Sequence, residues 1–118
     1  MTPATLQVVT RRSDHAAIIE LQGDVNSDGD AAIKEAYRTA VAEGYTNILF
    51  NLSQAAYINT SGISVLITVV MQAKKAGQKI LVSGVSAHYK KVFDLVRFST
   101  YVTMFDTEDA ALASLKSA

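Results

Sequence analysis

Two neighbouring hydroxyl groups stand where a polar turn meets a helical pattern, in the segment Asn59-Thr60-Ser61-Gly62. Asn, Thr and Ser commonly cap helices, because a short side-chain oxygen accepts a hydrogen bond from an unpaired amide of the first turn. The positive end of a helix also favours anions. The segment therefore predicts a capped helix start with two hydroxyl groups beside it. The simplest interpretation is capping alone, and the rest of the chain has to decide between that and a functional turn.

Metal chemistry finds little support in the residue types and their spacing. His15 and His88 are far apart in the sequence and lack an accompanying acidic ligand pattern. Asp24, Asp28 and Asp30 are interpreted as acids of a helix start and not as calcium ligands. No metal site is predicted.

Enzymatic chemistry is a remote alternative, in the form of a small nucleotide-binding hydrolase that would use Ser61 or Asp24. Glycine does not flank Ser61 on both sides, as a nucleophile elbow requires. The chain also lacks a phosphate-cradling Gly-x-x-x-x-Gly-Lys loop. The chain is therefore predicted not to be an enzyme, to have no catalytic residues and to carry no cofactor of its own.

The composition is that of one soluble globular domain. The 118 residues predict a single domain over 1–118, with a core from about 6 to 115. Eleven basic and eleven acidic residues balance, so no net charge draws the chain to nucleic acid. The absence of cysteine, of a signal-peptide pattern and of a bilayer-length apolar run predicts a cytoplasmic protein without membrane insertion.

Alternating strand and helix patterns position the hydroxyl groups. The predicted strands cover 6–10, 16–22, 45–52, 79–83 and 101–105. The predicted helices begin near 26, 61, 86 and 107. This order predicts an α/β domain with a mixed, mostly parallel sheet, an N-terminal antiparallel strand pair and about four helices. Met71 and Met104 are predicted to fill the core, and Tyr89 and Val96 to face inward from the helix that begins near 86. Lys74-Lys75 and Lys90-Lys91 are predicted to form solvated helix faces.

A second polar junction, Gly23-Asp24-Val25-Asn26, breaks the alternation of the second strand. It leads into a helix that Asn26 or Ser27 would cap. Functional sites of such sheets gather where the carboxyl ends of strands feed helix N-termini. This junction and the Asn59-Thr60-Ser61-Gly62 turn both lie at such a point.

The combined pattern resembles the STAS domain family, and specifically the bacterial anti-sigma factor antagonists. The likeness runs from about Leu6 to Leu115. The segments that carry it are Leu21-Gln22-Gly23-Asp24-Val25-Asn26, Phe50-Asn51-Leu52-Ser53, Tyr57-Ile58-Asn59-Thr60-Ser61-Gly62-Ile63, Lys79-Ile80-Leu81-Val82-Ser83-Gly84-Val85-Ser86 and Val92-Phe93-Asp94-Leu95. The resemblance implies a STAS-like fold and a protein-interaction module.

The resemblance also implies a regulatory mechanism, partner switching. The unphosphorylated antagonist binds a serine/threonine kinase that is itself the anti-sigma factor, and phosphorylation ends the binding. The matching phosphorylated position is Thr60, with Ser61 as the alternative. ATP and magnesium would belong to the kinase. The implied partner-binding residues are Gly23, Asp24, Asn26, Ser27, Tyr57, Asn59, Thr60, Ser61, Gly62 and Ile63.

Two departures from the family pattern keep a second function open. Many family members carry aspartates where this chain has Asn26 and Asn59. Asparagine caps a helix equally well, but it supplies no negative charge for a cation to read. The alternative is therefore an unphosphorylated STAS scaffold, acting as a subunit of a transport or signalling complex.

Overall fold

Six strands and four helices make up the computed structural model, which describes residues 5–116. The strands are β1 (Gln7–Arg12), β2 (Ala17–Val25), β3 (Asn47–Asn51), β4 (Ala55–Ile58), β5 (Lys79–Ser83) and β6 (Thr103–Phe105). The helices are α1 (Asp30–Ala42), α2 (Thr60–Lys75), α3 (Ala87–Leu95) and α4 (Glu108–Lys116). Short 3-10 turns precede α1 and follow α3, at Ser27–Gly29 and Phe98–Thr100. The ends of the predicted domain, 1–4 and 117–118, lie outside the described residues.

The strands form one mixed sheet in the order β1-β2-β3-β5-β6. β1 is antiparallel to β2, and the other neighbours along this path are parallel. The predicted α/β class, antiparallel opening pair and mostly parallel sheet are confirmed. None of the helices within 5–116 has the length and hydropathy needed to cross a membrane.

The sheet separates two apolar layers of unequal size. The larger layer joins the sheet to α1, α2 and α3, and the smaller one joins it to α4. In β3, Ile48, Leu49 and Phe50 are at most 1% exposed. Phe50 belongs to the larger layer and Leu49 to the smaller, which explains the continuous apolar run of a strand covered on both faces.

An ion pair ties α4 to the sheet. Nη2 of Arg11 lies 2.6 Å from Oε1 of Glu108, and Nδ2 of Asn51 donates a hydrogen bond to the same oxygen at 2.9 Å. The bond from Arg11 lowers the pKa of Glu108 below its ordinary value. α4 is thus held by polar contacts as well as by its apolar layer.

The prediction that β2 ends at Gln22 is wrong. The strand continues to Val25, with a register shift between Gly23 and Asp24 where it begins to pair with β4. Gly23 has a φ of 94°, a conformation that glycine adopts without steric cost. The strand therefore continues through a bulge at the point where it was predicted to end. β4 itself is a strand that the pattern did not predict.

Three further local predictions need correction. Asn26 caps the short 3-10 turn, and α1 begins only at Asp30. Val96, predicted inside, is 44% exposed, because α3 ends at Leu95 and helical periodicity no longer sets its direction. Met71 is 36% exposed, because it lies beside the buried stripe of α2 and not on it.

Candidate functional site

The first turn of α2 is closed by the side chain of Asn59. The backbone of Asn59 is extended, and its Oδ1 accepts a hydrogen bond from the Gly62 N–H at 2.8 Å. The Ser61 hydroxyl donates to the same oxygen, also at 2.8 Å. The predicted cap is therefore confirmed, with one amide oxygen serving two donors.

Ser61 also joins the two polar junctions that the sequence singled out. The Ser27 N–H donates to Ser61 Oγ at 3.1 Å, and the Asn59 N–H donates to the Val25 carbonyl at 3.2 Å. We call this arrangement of Ser27, Asn59 and Ser61 the clasp. It fixes the loop after β2 against the start of α2, so the two junctions form one continuous site.

Gly62 is required by the close approach of α2 to the end of β2. A Cβ atom at this position would lie 2.1 Å from the Val25 carbonyl oxygen, and backbone cannot yield as a flexible side chain would. Only glycine fits without moving one element away from the other. The site therefore rests on a backbone contact as well as on hydrogen bonds.

Thr60 differs from Ser61 although the two are adjacent. Thr60 is exposed, and its hydroxyl makes no hydrogen bond with any residue in the described range. Its carbonyl accepts a bond from the Ser64 hydroxyl at 3.2 Å, within α2. Thr60 thus presents a free hydroxyl group to solvent, whereas the Ser61 hydroxyl has two partners.

The other residues predicted to bind a partner differ in their exposure to solvent. Asp24 lies opposite Tyr57 in the β2–β4 register, and Tyr57 is 59% exposed. Asn26 Oδ1 accepts the Asp28 N–H at 2.9 Å and thereby shapes the loop before α1. Ile63 is 8% exposed and packs in the larger apolar layer. Tyr57 and Thr60 are available to a partner, and Ile63 supports the turn from inside.

Tyr89 is a supporting residue that the sequence pattern did not assign to the site. Its hydroxyl accepts a hydrogen bond from the Ile58 N–H at 2.9 Å, which links α3 to β4 just before the clasp. The pattern placed Tyr89 among the inward residues of its helix. The polar tip of an inward tyrosine was the available signal, because such a tip normally finds a hydrogen-bond partner.

The segments that build the site carry acidic residues and no lysine or arginine. Neither 13–33 nor 52–73, the segments that build it, contains a lysine or an arginine. Asp24 and Asp28 belong to these segments. An anion attached at Thr60 would therefore rely on the helix N-terminus and not on a cation from either segment.

The hydroxyl groups of the turn are suited to receive a transferred group and not to act as catalytic nucleophiles. Neither Thr60 nor Ser61 is hydrogen-bonded to a histidine or a carboxylate within the described range, so the turn does not assemble the nucleophile–base pair of covalent catalysis. Across 5–116, no group of three or more His, Cys, Asp or Glu residues is arranged to hold a metal ion.

The sequence and its fold match known proteins over nearly their whole length. Residues 7–111 match the model of the STAS domain family. A protein of Bordetella bronchiseptica, provisionally named the anti-sigma factor antagonist BtrV, is 23% identical over 113 residues, which cover 96% of this chain and 97% of that protein.

Solved structures give the same result for the fold. An anti-sigma factor antagonist from Mycobacterium paratuberculosis superposes with a TM-score of 0.84 at 16% identity, covering 98% of both chains. The phosphorylated form of SpoIIAA, a cell fate determinant of Bacillus, superposes with a TM-score of 0.72 at 18% identity, covering 95% of this chain and 100% of that one.

Proposed function

This chain belongs to the STAS domain family, and on that premise we propose that it is an anti-sigma factor antagonist controlled by phosphorylation of Thr60. In its unphosphorylated form it binds a kinase-type anti-sigma factor, and the phosphate ends that binding. The kinase supplies ATP and magnesium, and the exchange takes place in the cytoplasm. The chain acts as a binding module and not as an enzyme.

The observation that carries this proposal is the contrast between the two adjacent hydroxyl groups. Thr60 is exposed and its hydroxyl is unengaged in the described structure, while Ser61 Oγ holds Asn59 and Ser27 together. A kinase reaches the first without disturbing the fold. Modification of Ser61 would first have to break the clasp, so Thr60 is favoured over Ser61 as acceptor.

The position of Thr60 also determines what a phosphate would do. A phosphate adds roughly −1.5 to −2 charges at neutral pH. The N-terminus of α2 tolerates that charge, so the domain stays folded. The effect then falls on the partner, through steric conflict and through repulsion from acidic groups across the interface. The similar fold of SpoIIAA has been solved in a phosphorylated form, which supports phosphorylation of a domain with this fold.

The proposed contact surface surrounds Thr60 on three sides. Tyr57 offers an exposed aromatic anchor, a residue type enriched at interface centres. Ser27 and Asp28 bring the exposed loop before α1 alongside it. Ser64 extends the surface along the exposed face of α2. Gly62 and Ile63 contribute by fixing the position of the turn.

The test is incubation of the purified protein with its cognate kinase and ATP, followed by intact-mass measurement. We expect one added phosphate, absent from Thr60→Ala and present in Ser61→Ala. Addition to Thr60→Ala but not to Ser61→Ala would move the acceptor to Ser61. A kinase that binds the protein tightly yet adds no phosphate would contradict the regulatory proposal.

Asn59 supports a second candidate function, the unphosphorylated scaffold. As an amide it caps α2 without giving a partner's magnesium or basic residue a carboxylate to contact. A scaffold would hold its partner permanently through the same surface. Replacement of Asn59 by aspartate separates the two functions, because a kinase should phosphorylate the variant faster, whereas a scaffold should gain no phosphate with either residue.

A further inference from the structure

We propose a second docking surface at the opposite end of α2, which binds an acidic amphipathic segment of a protein partner. It is built from Lys74, Lys91, Leu95, Val96, Arg97 and Tyr101, and we call it the distal surface. It does not depend on phosphorylation of Thr60 and goes beyond the proposed function. It would allow the domain to hold a second protein while the first is exchanged.

Exposed apolar side chains concentrate at this place. Leu95 is 84% exposed, more than any other large hydrophobic residue in the described part of the chain. In the same stretch, Val96 is 44% exposed and Tyr101 is 39% exposed. α3 ends at Leu95, Val96 follows it, and the 3-10 turn at Phe98–Thr100 leads on to Tyr101. The surface therefore offers apolar area in one short stretch of chain.

The cations around these apolar groups have no acidic partner. Lys74 Nζ lies 5.3 Å from the ring centroid of Tyr101, which joins the end of α2 to the stretch after α3. Lys91 precedes Leu95 by one helical turn, and Arg97 follows it closely. Within the described residues, none of these three cations forms a salt bridge, whereas Lys90 pairs with Asp106. Asp94 is the one carboxylate in 91–101, so the three cations leave the distal surface with an excess of basic charge.

The one acid of this stretch, Asp94, is hydrogen-bonded to a serine. The surface also continues along α2. The Asp94 carboxylate accepts a hydrogen bond from the Ser99 hydroxyl at 2.6 Å. Met71 and Lys75 lie one turn apart on α2, beside Lys74, and line a shallow depression together with Ile67. Unpaired cations at the rim and apolar groups between them match a segment with acidic residues flanking an apolar stripe.

The two surfaces are centred at opposite ends of α2. Fourteen residues separate Thr60 from Lys74 along α2, a distance of about 21 Å at the helical rise. A partner on the distal surface would not cover Thr60. The surfaces also differ in sign, because the segments around Thr60 contain no lysine or arginine. One protein segment would not suit both.

The test is an NMR titration of the 15N-labelled protein with a synthetic helical peptide that carries leucines on one face and glutamates on the other. The control peptide has lysine in place of each glutamate. We expect amide shifts around Lys74, Leu95 and Tyr101 with the acidic peptide only, weakening as salt is raised. No shifts, equal shifts with both peptides, or shifts confined to the Thr60 turn would overturn the proposal.

Variants and alternative occupants complete the experiment. Leu95→Ser with Lys74→Glu should lower the peptide affinity at least tenfold, whereas Lys116→Glu, a matched charge reversal on α4, should not. Thr60→Glu should leave peptide binding intact, so failure here is distinguishable from failure of the proposed function. Stronger binding to phosphatidylglycerol vesicles than to the peptide would assign the distal surface to a membrane. Reversible dimerisation abolished by the double variant would assign it to a second copy.

Discussion

The two ends of α2 are built on opposite principles. At the N-terminal end, Asn59 and Ser61 are locked by hydrogen bonds, and Gly62 lies against the backbone of β2. At the C-terminal end, Gly77 turns the chain with a φ of 78° into open space, and Lys74 and its neighbours face solvent. One helix thus carries a rigid, cation-free end and a permissive, basic end.

The comparison indicates that backbone geometry matters most at one end of α2 and side-chain chemistry at the other. At the rigid end, hydrogen bonds and a backbone contact fix the geometry around Thr60. At the permissive end, a Cβ atom at Gly77 would meet no atom within 4 Å, and side-chain charge and apolar area are expected to decide what binds. Substitutions of packed or hydrogen-bonded residues should therefore cost more stability at the first end than at the second, whereas substitutions of exposed side chains at either end should act on affinity.

The largest effect is expected from Gly62→Ala. The added methyl group would meet the Val25 carbonyl, so α2 and β2 must separate, and we expect a loss of about 3 kcal/mol or more in the free energy of unfolding. Gly77→Ala is the matched control at the other end. It meets no atom within 4 Å and should cost only about 1 kcal/mol, for its left-handed backbone. Urea denaturation measures both, and equal costs would remove the contrast between the ends.

Thr60→Glu should affect binding and leave the fold intact. The charge mimics part of a phosphate at an exposed position, so we expect affinity for the cognate anti-sigma factor to fall about a hundredfold, close to 3 kcal/mol. Thr60→Val keeps the shape without the charge and should bind normally. Titration calorimetry measures the affinities, and an unchanged urea midpoint confirms the fold. Equal loss in both variants would point to shape and not to charge.

Asn59→Ala tests the clasp with a smaller effect. It removes the acceptor for the Gly62 N–H and the Ser61 hydroxyl, and we expect a loss of about 1 to 2 kcal/mol in stability. Ser86→Ala removes a simpler cap, whose oxygen accepts only the Tyr89 N–H at 3.3 Å, and should cost less. Thermal unfolding compares the two variants. A larger cost for Ser86→Ala would show that the clasp adds nothing beyond an ordinary cap.

The smallest effect is expected away from both ends of α2, at Glu108. Its pKa is lowered by Arg11, so its stabilising contribution is present above the ordinary carboxyl pKa of 4.5 and is lost as the pH falls through the lowered value. Glu108→Gln should cost about 1 kcal/mol at pH 7, since the pair is only partly buried. The stability curves of the two proteins should converge in acid. A constant difference at every pH would exclude the ion pair as its source.

Much of the fold was predictable because periodicity reports burial directly. The continuous apolar run of β3 and the three- and four-residue steps of α2 each predicted an element that the structure contains. β4 escaped because its four residues lack alternation and pair with a bulged extension of β2. Pairing between strands that are distant in the sequence cannot be predicted from the residues of either strand alone.

The site was predictable in position but not in its internal bonding. Residue types alone placed Thr60 and Ser61 at a helix start, and parallel-sheet topology placed the Gly23–Ser27 loop at the same edge. The unequal roles of the two hydroxyls could not be read from the sequence, because they depend on the distance between Ser61 and Ser27. The support from Tyr89 to β4 is likewise a contact across 31 residues.

The clasp is made only of amide and hydroxyl groups, from Asn59, Ser61 and the Ser27 backbone. None of these groups gains or loses a proton in the range that cells experience. The hydrogen bonds of the clasp therefore persist when the surroundings become more acidic or alkaline. Under the proposed function, the turn would therefore respond to phosphorylation by a kinase and not to the pH of its surroundings.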